Sequence, residues 1–276
     1  MGWNNLKTYD SNVINTSEKH NLYHVAKKPI EIYVFIDPLC LESWALEPYF
    51  KKLSIEYGRF FTVRPIISGS LDVLTKNNDG PQTNEQKRIS FPWIGLAIKA
   101  AELQGINAGR TFLRKLQVYF FLKNKNIADK SVLIQCAEES DLDVHEFEKD
   151  LFSHYAKKAF QCDLKLKKEM DVTETPTVVI FNHLNEEHGI KIPGRHTYDI
   201  YKHVLHEVLQ YEPLPAVKPP IRDFLSFYDV VSTKDVSTVY DLTIDEANRR
   251  LKKLQIMQIT NRLTSKHDSF WKYNRK

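Results

Sequence analysis

Ile30-Glu31-Ile32-Tyr33-Val34-Phe35-Ile36-Asp37-Pro38-Leu39-Cys40-Leu41-Glu42-Ser43-Trp44 is the stretch on which the fold turns. Apart from Glu31, its first seven residues are β-branched or aromatic, a run short enough for a buried strand. Asp37-Pro38 ends that strand. A helix is expected from Ser43 to Tyr57, which places Cys40 at a helix N-terminus, where free amide N–H groups favour a thiolate. Pro48 lies inside that expected helix, where a proline removes a hydrogen bond and kinks the backbone. Far downstream, Glu174-Thr175-Pro176-Thr177 leads into a second apolar run, Thr177–Phe181, a setting in which a cis-proline can sit.

Between these two points the period changes. Arg59–Ser68 reads as a strand, and from about Ile89 to Met170 the pattern is helical, with four or so helices expected. Ile94, Ala97, Ile98, Ala101 and Gly105 mark one apolar face. Phe112, Leu113, Leu116, Phe120 and Phe121 mark a second, and Phe147, Leu151, Tyr155, Ala159 and Phe160 a third. Phe91 and Trp93 flank Pro92 and read as core, the alternative being an exposed anchor for a partner. A short strand at Ile190–Ile192 and a helix from Tyr198 to Leu209 complete the first unit. Pro213, Pro215, Pro219 and Pro220 mark an extended linker expected to be open to proteases. Beyond it, Ile221–Tyr228, Thr233–Tyr240 and Thr243–Leu254 read as short helices, followed by strands at Met257–Leu263 and Ser269–Tyr273. That order suggests a winged helix. In its third helix, Thr243 and Glu246 have the spacing of a capping box, and Ile244, Ala247, Leu251 and Leu254 form the expected buried stripe.

With 42% hydrophobic and 27% charged residues the chain has the composition of a globular protein. Its net charge of +4 comes from residues 212–276, which hold 12 Lys+Arg against 8 Asp+Glu. Arg249, Arg250, Lys252 and Lys253 cluster there. They occupy the last turns of a helix whose first turn is acidic, as helix electrostatics favours in any case, which argues against nucleic acid as a partner. Three cysteines, Cys40, Cys136 and Cys162, form no disulfide framework and fit a reducing compartment. Cys136 and Cys162 read as small buried hydrophobes. Residues 1–28 read as a flexible lead-in without the apolar core of a signal peptide, and no run is long enough to span a membrane, so a cytoplasmic protein is expected.

The cysteine turn, the proline in the helix behind it and the distant proline before a strand resemble the thioredoxin superfamily. The helical block between the two halves resembles the DsbA branch of it. The expected fold is therefore α/β: a DsbA-like thioredoxin domain at 29–211 with a helical insertion near 88–170, followed by a linker and winged-helix-like module at 212–276. Ser43 stands where a dithiol enzyme carries its resolving cysteine, and a hydroxyl cannot expel a mixed disulfide at neutral pH.

Further motifs narrow the resemblance. Ile32–Leu46, Tyr57-Gly58-Arg59-Phe60-Phe61, Lys99-Ala100-Ala101-Glu102-Leu103-Gln104-Gly105 and Phe270-Trp271-Lys272 are similar to the YjbH/SpxH adaptors of Gram-positive bacteria. The resemblance implies binding of the stress-response transcription regulator Spx and its delivery to the ClpXP protease, with no redox turnover and no cofactor. Some adaptors of this family have a His/Cys-rich N-terminus suggested to bind zinc. Here only His20 and His24 are present, fewer than the four ligands zinc takes, so no metal is expected. Cys40 and Ser43 are then a vestigial C-x-x-S motif and Pro176 its cis-proline, with Leu39, Trp44, Thr175 and Pro176 the expected client contacts. The alternative is a glutathione-dependent or other thiol oxidoreductase or isomerase of the DsbA branch acting through Cys40.

Overall fold

The computed structural model describes residues 28–68, 84–182, 189–263 and 269–274, with 84–91 described as helix without their side chains. His20, His24 and the side chain of Phe91 lie outside this set. Strand β1 (Ile30–Ile36) pairs in parallel with β2 (Phe61–Ile67) and antiparallel with β3 (Thr177–Asn182), which pairs antiparallel with β4 (Ile190–Pro193). The resulting order, β2-β1-β3-β4, is the thioredoxin sheet. Period-two alternation divides β1 between the two faces. Ile30, Ile32, Val34 and Ile36 join Phe50 and Leu53 of helix α2 (Glu47–Tyr57) and Tyr201 and Leu205 of α8 (Tyr198–Leu209). Phe35 faces the other way, with Ile66, Val179 and Val172.

The helix expected after the cysteine turn is two helices: α1 (Leu41–Trp44) is a single turn, and α2 starts afresh. Pro48 lies in the first turn of α2, where its missing N–H costs nothing, so the proline starts a helix rather than kinking one. The insertion holds five α-helices: α3 (Asn84–Leu103), α4 (Ile106–Gln117, running into a π-turn at Val118–Leu122), α5 (Lys130–Glu138), α6 (Val144–Asp150) and α7 (His154–Glu169). Gly105 is not on the face of α3. Its φ of +131° separates α3 from α4, a conformation that L side chains rarely adopt. Nor is Tyr155 buried. Ser153 caps a new helix by accepting from Ala156 N, which resets the helical phase, so Ala156 and Phe160 face inward while Tyr155 is 70% exposed. Gly95 lets α3 and α7 approach closely, since a Cβ there would lie 2.6 Å from the Phe160 ring. Trp93 is half-buried against Phe152, their rings 4.9 Å apart. Cys136 is buried, whereas Cys162 is exposed on α7, contrary to expectation.

The C-terminal module runs α9 (Ile221–Tyr228), β5 (Val230–Ser232), α10 (Thr233–Tyr240), α11 (Ile244–Ile256), β6 (Thr260–Leu263) and β7 (Phe270–Tyr273), with sheet order β5-β7-β6. Helix, strand, two helices and a closing hairpin make a winged helix. Strand β5, three residues long, was not expected. The reciprocal capping box belongs to Ser232 and Asp235 of α10, while in α11 Thr243 only accepts from Glu246 N, and Glu246 turns to Arg250. Ile244 is 48% exposed rather than part of the buried stripe.

This module does not hang from a loose linker. Ile55 of α2 is part of its core, beside Phe224, Val236, Leu251 and the fully buried Trp271, whose Nε1 donates to Thr233 Oγ1 at 3.0 Å. A buried charge cluster closes the joint. Lys51 of α2 lies 2.9 Å from Asp235 and 3.2 Å from Glu47, and Arg114 of α4 pairs with Glu47 and approaches Asp235 at 3.6 Å. The proline-rich stretch is itself held. Arg59 donates to the Leu214 carbonyl, Ala216 N to the Glu56 carbonyl at 2.8 Å, and Tyr240 Oη to the Pro219 carbonyl at 2.8 Å. No helix among the described residues is long and apolar enough to cross a membrane.

Candidate functional site

Where β1 ends, the chain folds into a tight knot. Asp37 is buried, and its Oδ1 accepts from Leu39 N at 2.8 Å, an Asx-turn of the kind that reverses a chain after a strand. Cys40 N donates to the Asp37 carbonyl at 3.1 Å, and the Cys40 carbonyl accepts from Trp44 N at 3.0 Å, so Cys40 is the N-cap of α1. Its thiol is half-buried and free. Ser43 is buried, and its Oγ accepts from Asp37 N at 3.2 Å. The residue in the resolving position therefore staples the turn shut. One turn of helix aligns few peptide dipoles, so α1 provides a weaker field at Cys40 than a long helix would.

Asp37 is the site's one strongly perturbed group. Burial pushes its carboxyl up to about 6, although the Leu39 N–H and the Lys167 charge pull the other way. Its Oδ2 has no hydrogen-bond partner among the described residues.

The facing wall comes from the start of β3. The pair Phe35↔Thr177 is the last in the β1–β3 register, so Pro176 and Thr175 enter β3 at the end of the sheet where β1 runs into the Cys40 turn. The Thr175–Pro176 peptide bond is cis. Gly194, with φ +75°, donates to the Pro176 carbonyl at 2.8 Å and turns the chain so that Arg195 Nε reaches Glu42 Oε2 at 2.5 Å. Half-buried Leu39, Cys40 and Thr175 and buried Pro176 thus lie at the same end of the sheet as exposed Leu41, Glu42 and Arg195.

Trp44 does not join that set. Its ring stacks on Phe121 of the insertion at 4.6 Å and on Phe270 of the winged helix at 5.3 Å, with the Arg114 guanidinium 5.6 Å from the ring centre. It is a joint between modules. Leu41 and Arg195 were not singled out from the sequence. Leu41 carried a signal, being an apolar residue next to the cysteine at the start of a helix, but Arg195 is placed by tertiary structure alone.

Chemically, the site offers one accessible thiol and no second thiol to complete a cycle. An external thiol or disulfide could form a mixed disulfide with Cys40, but the Ser43 hydroxyl could not displace it. Cys136 is no substitute, because burial pushes its thiol up to about 12 and it faces the Phe112 carbonyl at 3.8 Å.

A family model described as Thioredoxin matches residues 33–203, leaving the winged helix outside the match. Curated relatives extend further. The chain is 43% identical to the ClpXP adapter protein SpxH of Bacillus subtilis over 284 residues, covering 93% of this chain and 95% of that one. It is 42% identical to the protein of the same name in Bacillus licheniformis, covering 90% and 89%. Among solved structures, a probable DsbA oxidoreductase of Streptomyces coelicolor superposes with a TM-score of 0.52 at 14% identity, covering 68% of this chain and 94% of that one. At that identity the likeness is one of fold.

Proposed function

The chain belongs to the SpxH family of ClpXP adapter proteins, and we propose that it acts in the cytoplasm as such an adaptor, holding the transcription regulator Spx and bringing it to ClpXP without a redox cycle of its own. The observation that carries the second half of this reading is the use made of Ser43: its hydroxyl is spent on the Asp37 amide, and no other thiol shares the turn. In this reading the end of the sheet at the Cys40 turn holds extended polypeptide, with Leu39, Thr175 and the cis-proline Pro176 as its contact residues, a role supported by their common position beside that turn. An adaptor needs no bond chemistry. Holding client and protease together raises the effective concentration of one at the other, an effect worth 10²–10⁴-fold in avidity when the geometry allows both contacts. The test is reconstitution: adding the full chain to purified Spx and ClpXP should accelerate Spx loss at least tenfold, and an unchanged rate contradicts the proposal.

The second reading is glutathione-dependent thiol exchange at Cys40, favoured by its free, half-buried thiol at the head of α1. Turnover of a glutathione mixed disulfide by the purified chain, lost in Cys40→Ala, would support it.

A further inference from the structure

Ala247 and Leu251 hold the inner face of α11 in the winged-helix core, and the outer face is open to solvent. Residues three, four and seven apart share a helix face, and the outer one carries Arg249, Lys252, Lys253 and Ile256. All four are exposed, Ile256 at 83%, and Met257 follows at 57%. Arg250 pairs with Glu246 at 2.7 Å, but Arg249, Lys252 and Lys253 make no ion pair among the described residues. Residues 249–263 hold five basic side chains and no acidic one. Helix electrostatics explains cations in the last turn of α11, but not a run that continues to exposed Arg262 of β6.

The opposite charge is gathered in the insertion. Helices α5 and α6 form a hairpin, with Lys130 at the start of one 3.0 Å from Glu148 near the end of the other. Residues 138–150 hold seven Asp and Glu against one lysine, Lys149. Glu138, Asp141, Asp143 and Glu146 are exposed. Lys130 and Lys149 offset Glu148 and Glu146 only in part, and Lys115 and Lys123 approach Glu139 no closer than 3.6 Å. Just beyond Asp150 come Phe152 and Tyr155, 52 and 70% exposed. Each charged surface therefore adjoins exposed apolar side chains, the make-up of a protein interface with apolar anchors and a polar rim.

A basic winged helix invites nucleic acid, but two features of α11 oppose it. Recognition helices meet base edges with their N-terminal residues, and that end of α11 carries Asp245 and Glu246, which phosphates repel. At the other end Ile256 and Met257 have no use against a phosphate backbone. The chain itself supplies the surface that this face fits, acidic and bordered by apolar side chains. We propose that the occupant is a second copy of this chain, the outer face of α11 on one copy docking on the α5–α6 hairpin of the other. Because each copy carries both surfaces, a two-fold arrangement forms the contact twice and closes at two chains. Exposed ion pairs are individually weak and are screened by salt, so the dimer depends on many of them acting together at low ionic strength. This inference does not rest on the adaptor reading.

The test is a charge swap read by sedimentation velocity on the full chain. Wild type should form a dimer at about 0.05 M salt that weakens at least tenfold at about 0.5 M. Two reversed variants are compared with it, Arg249→Glu/Lys252→Glu/Lys253→Glu and Glu138→Lys/Glu146→Lys/Asp150→Lys, with unchanged melting temperatures confirming their folds. Each alone should associate at least tenfold more weakly than wild type. Mixed, they should form a heterodimer within threefold of the wild-type affinity, because each supplies the sign that the other has lost. Should three acids at the C-terminal end of α11 unsettle that helix, Arg249→Gln/Lys252→Gln/Lys253→Gln decides instead, and a loss of dimer affinity under threefold overturns the proposal. A wild-type chain that is monomeric at low salt overturns it, as does a mixture of the reversed variants that stays monomeric. A monomeric chain that retains a labelled DNA duplex through Arg249, Lys252 and Lys253 also overturns it and makes nucleic acid the occupant.

Discussion

At the scale of single residues, Asp37 has the sharpest consequence. Its carboxyl titrates near 6 in the folded chain because burial disfavours the charge, against roughly 3.9 for an unfolded aspartate. The folded state therefore binds more protons than the unfolded one between about pH 4 and 6. The penalty for an ionised Asp37 is absent below that window, grows as pH rises through it and is complete above about 6. Asp37→Asn keeps an acceptor for Leu39 N and removes the charge. Its stability relative to wild type should rise by on the order of 2 kcal/mol between pH 4.5 and 7.5, read from urea unfolding at each pH. A difference independent of pH would show that the carboxyl is not held in the buried state described. Of the residues in this site, Cys40, Ser43 and Pro176 were legible from the sequence because turn chemistry and spacing are local. The burial of Asp37 was not, since Asp37-Pro38 reads equally well as a strand terminator in any exposed turn.

At the scale of elements, α2 decides the architecture. Its sequence, Glu-Pro-Tyr-Phe-Lys-Lys-Leu-Ser-Ile-Glu-Tyr, reads as an amphipathic surface helix, yet Lys51, Lys52, Ser54 and Glu56 are all buried. The winged helix covers the polar face. Lys51 and Arg114 meet Asp235 there, and although burial alone would raise the Asp235 carboxyl, these two cations hold it below the usual carboxylate range. Its contribution to stability is thus present above about pH 4 and lost as pH falls through the lowered value. Asp235→Ala leaves Lys51 and Arg114 with Glu47 as their one remaining carboxylate and takes away half the Ser232 capping box, so it should cost about 2–3 kcal/mol at pH 7. A loss under 1 kcal/mol in equilibrium unfolding would mean that the joint is solvated. The helices and the closing hairpin of the winged helix could be read from periodicity and caps. Strand β5 could not, because Val230–Ser232 is too short to show a period, and neither could the role of Trp44, whose stacking partners come from two other modules.

At the scale of the whole molecule, three units are packed around α2 and Trp44, with two separated surfaces. One, proposed for the client, is the end of the sheet at Leu39, Cys40, Thr175 and Pro176; the other is the stretch of exposed Leu214 and Val217, which composition marks as a linker and hydrogen bonds hold in place. The order of elements was written in the sequence, through a strand–cysteine–helix start, a helical interruption and a proline before the returning strand. How tightly the C-terminal unit is seated was not, because Ile55, Lys51 and Glu47 mark that contact only once both sides are folded. If the chain works as an adaptor, this arrangement acts by position and not by thiol chemistry. The most direct measurement is the rate of Spx degradation by purified ClpXP in the presence of wild-type chain or Cys40→Ala. The two rates should lie within twofold of each other, and a loss of tenfold or more in the variant would mean that the Cys40 thiol is required.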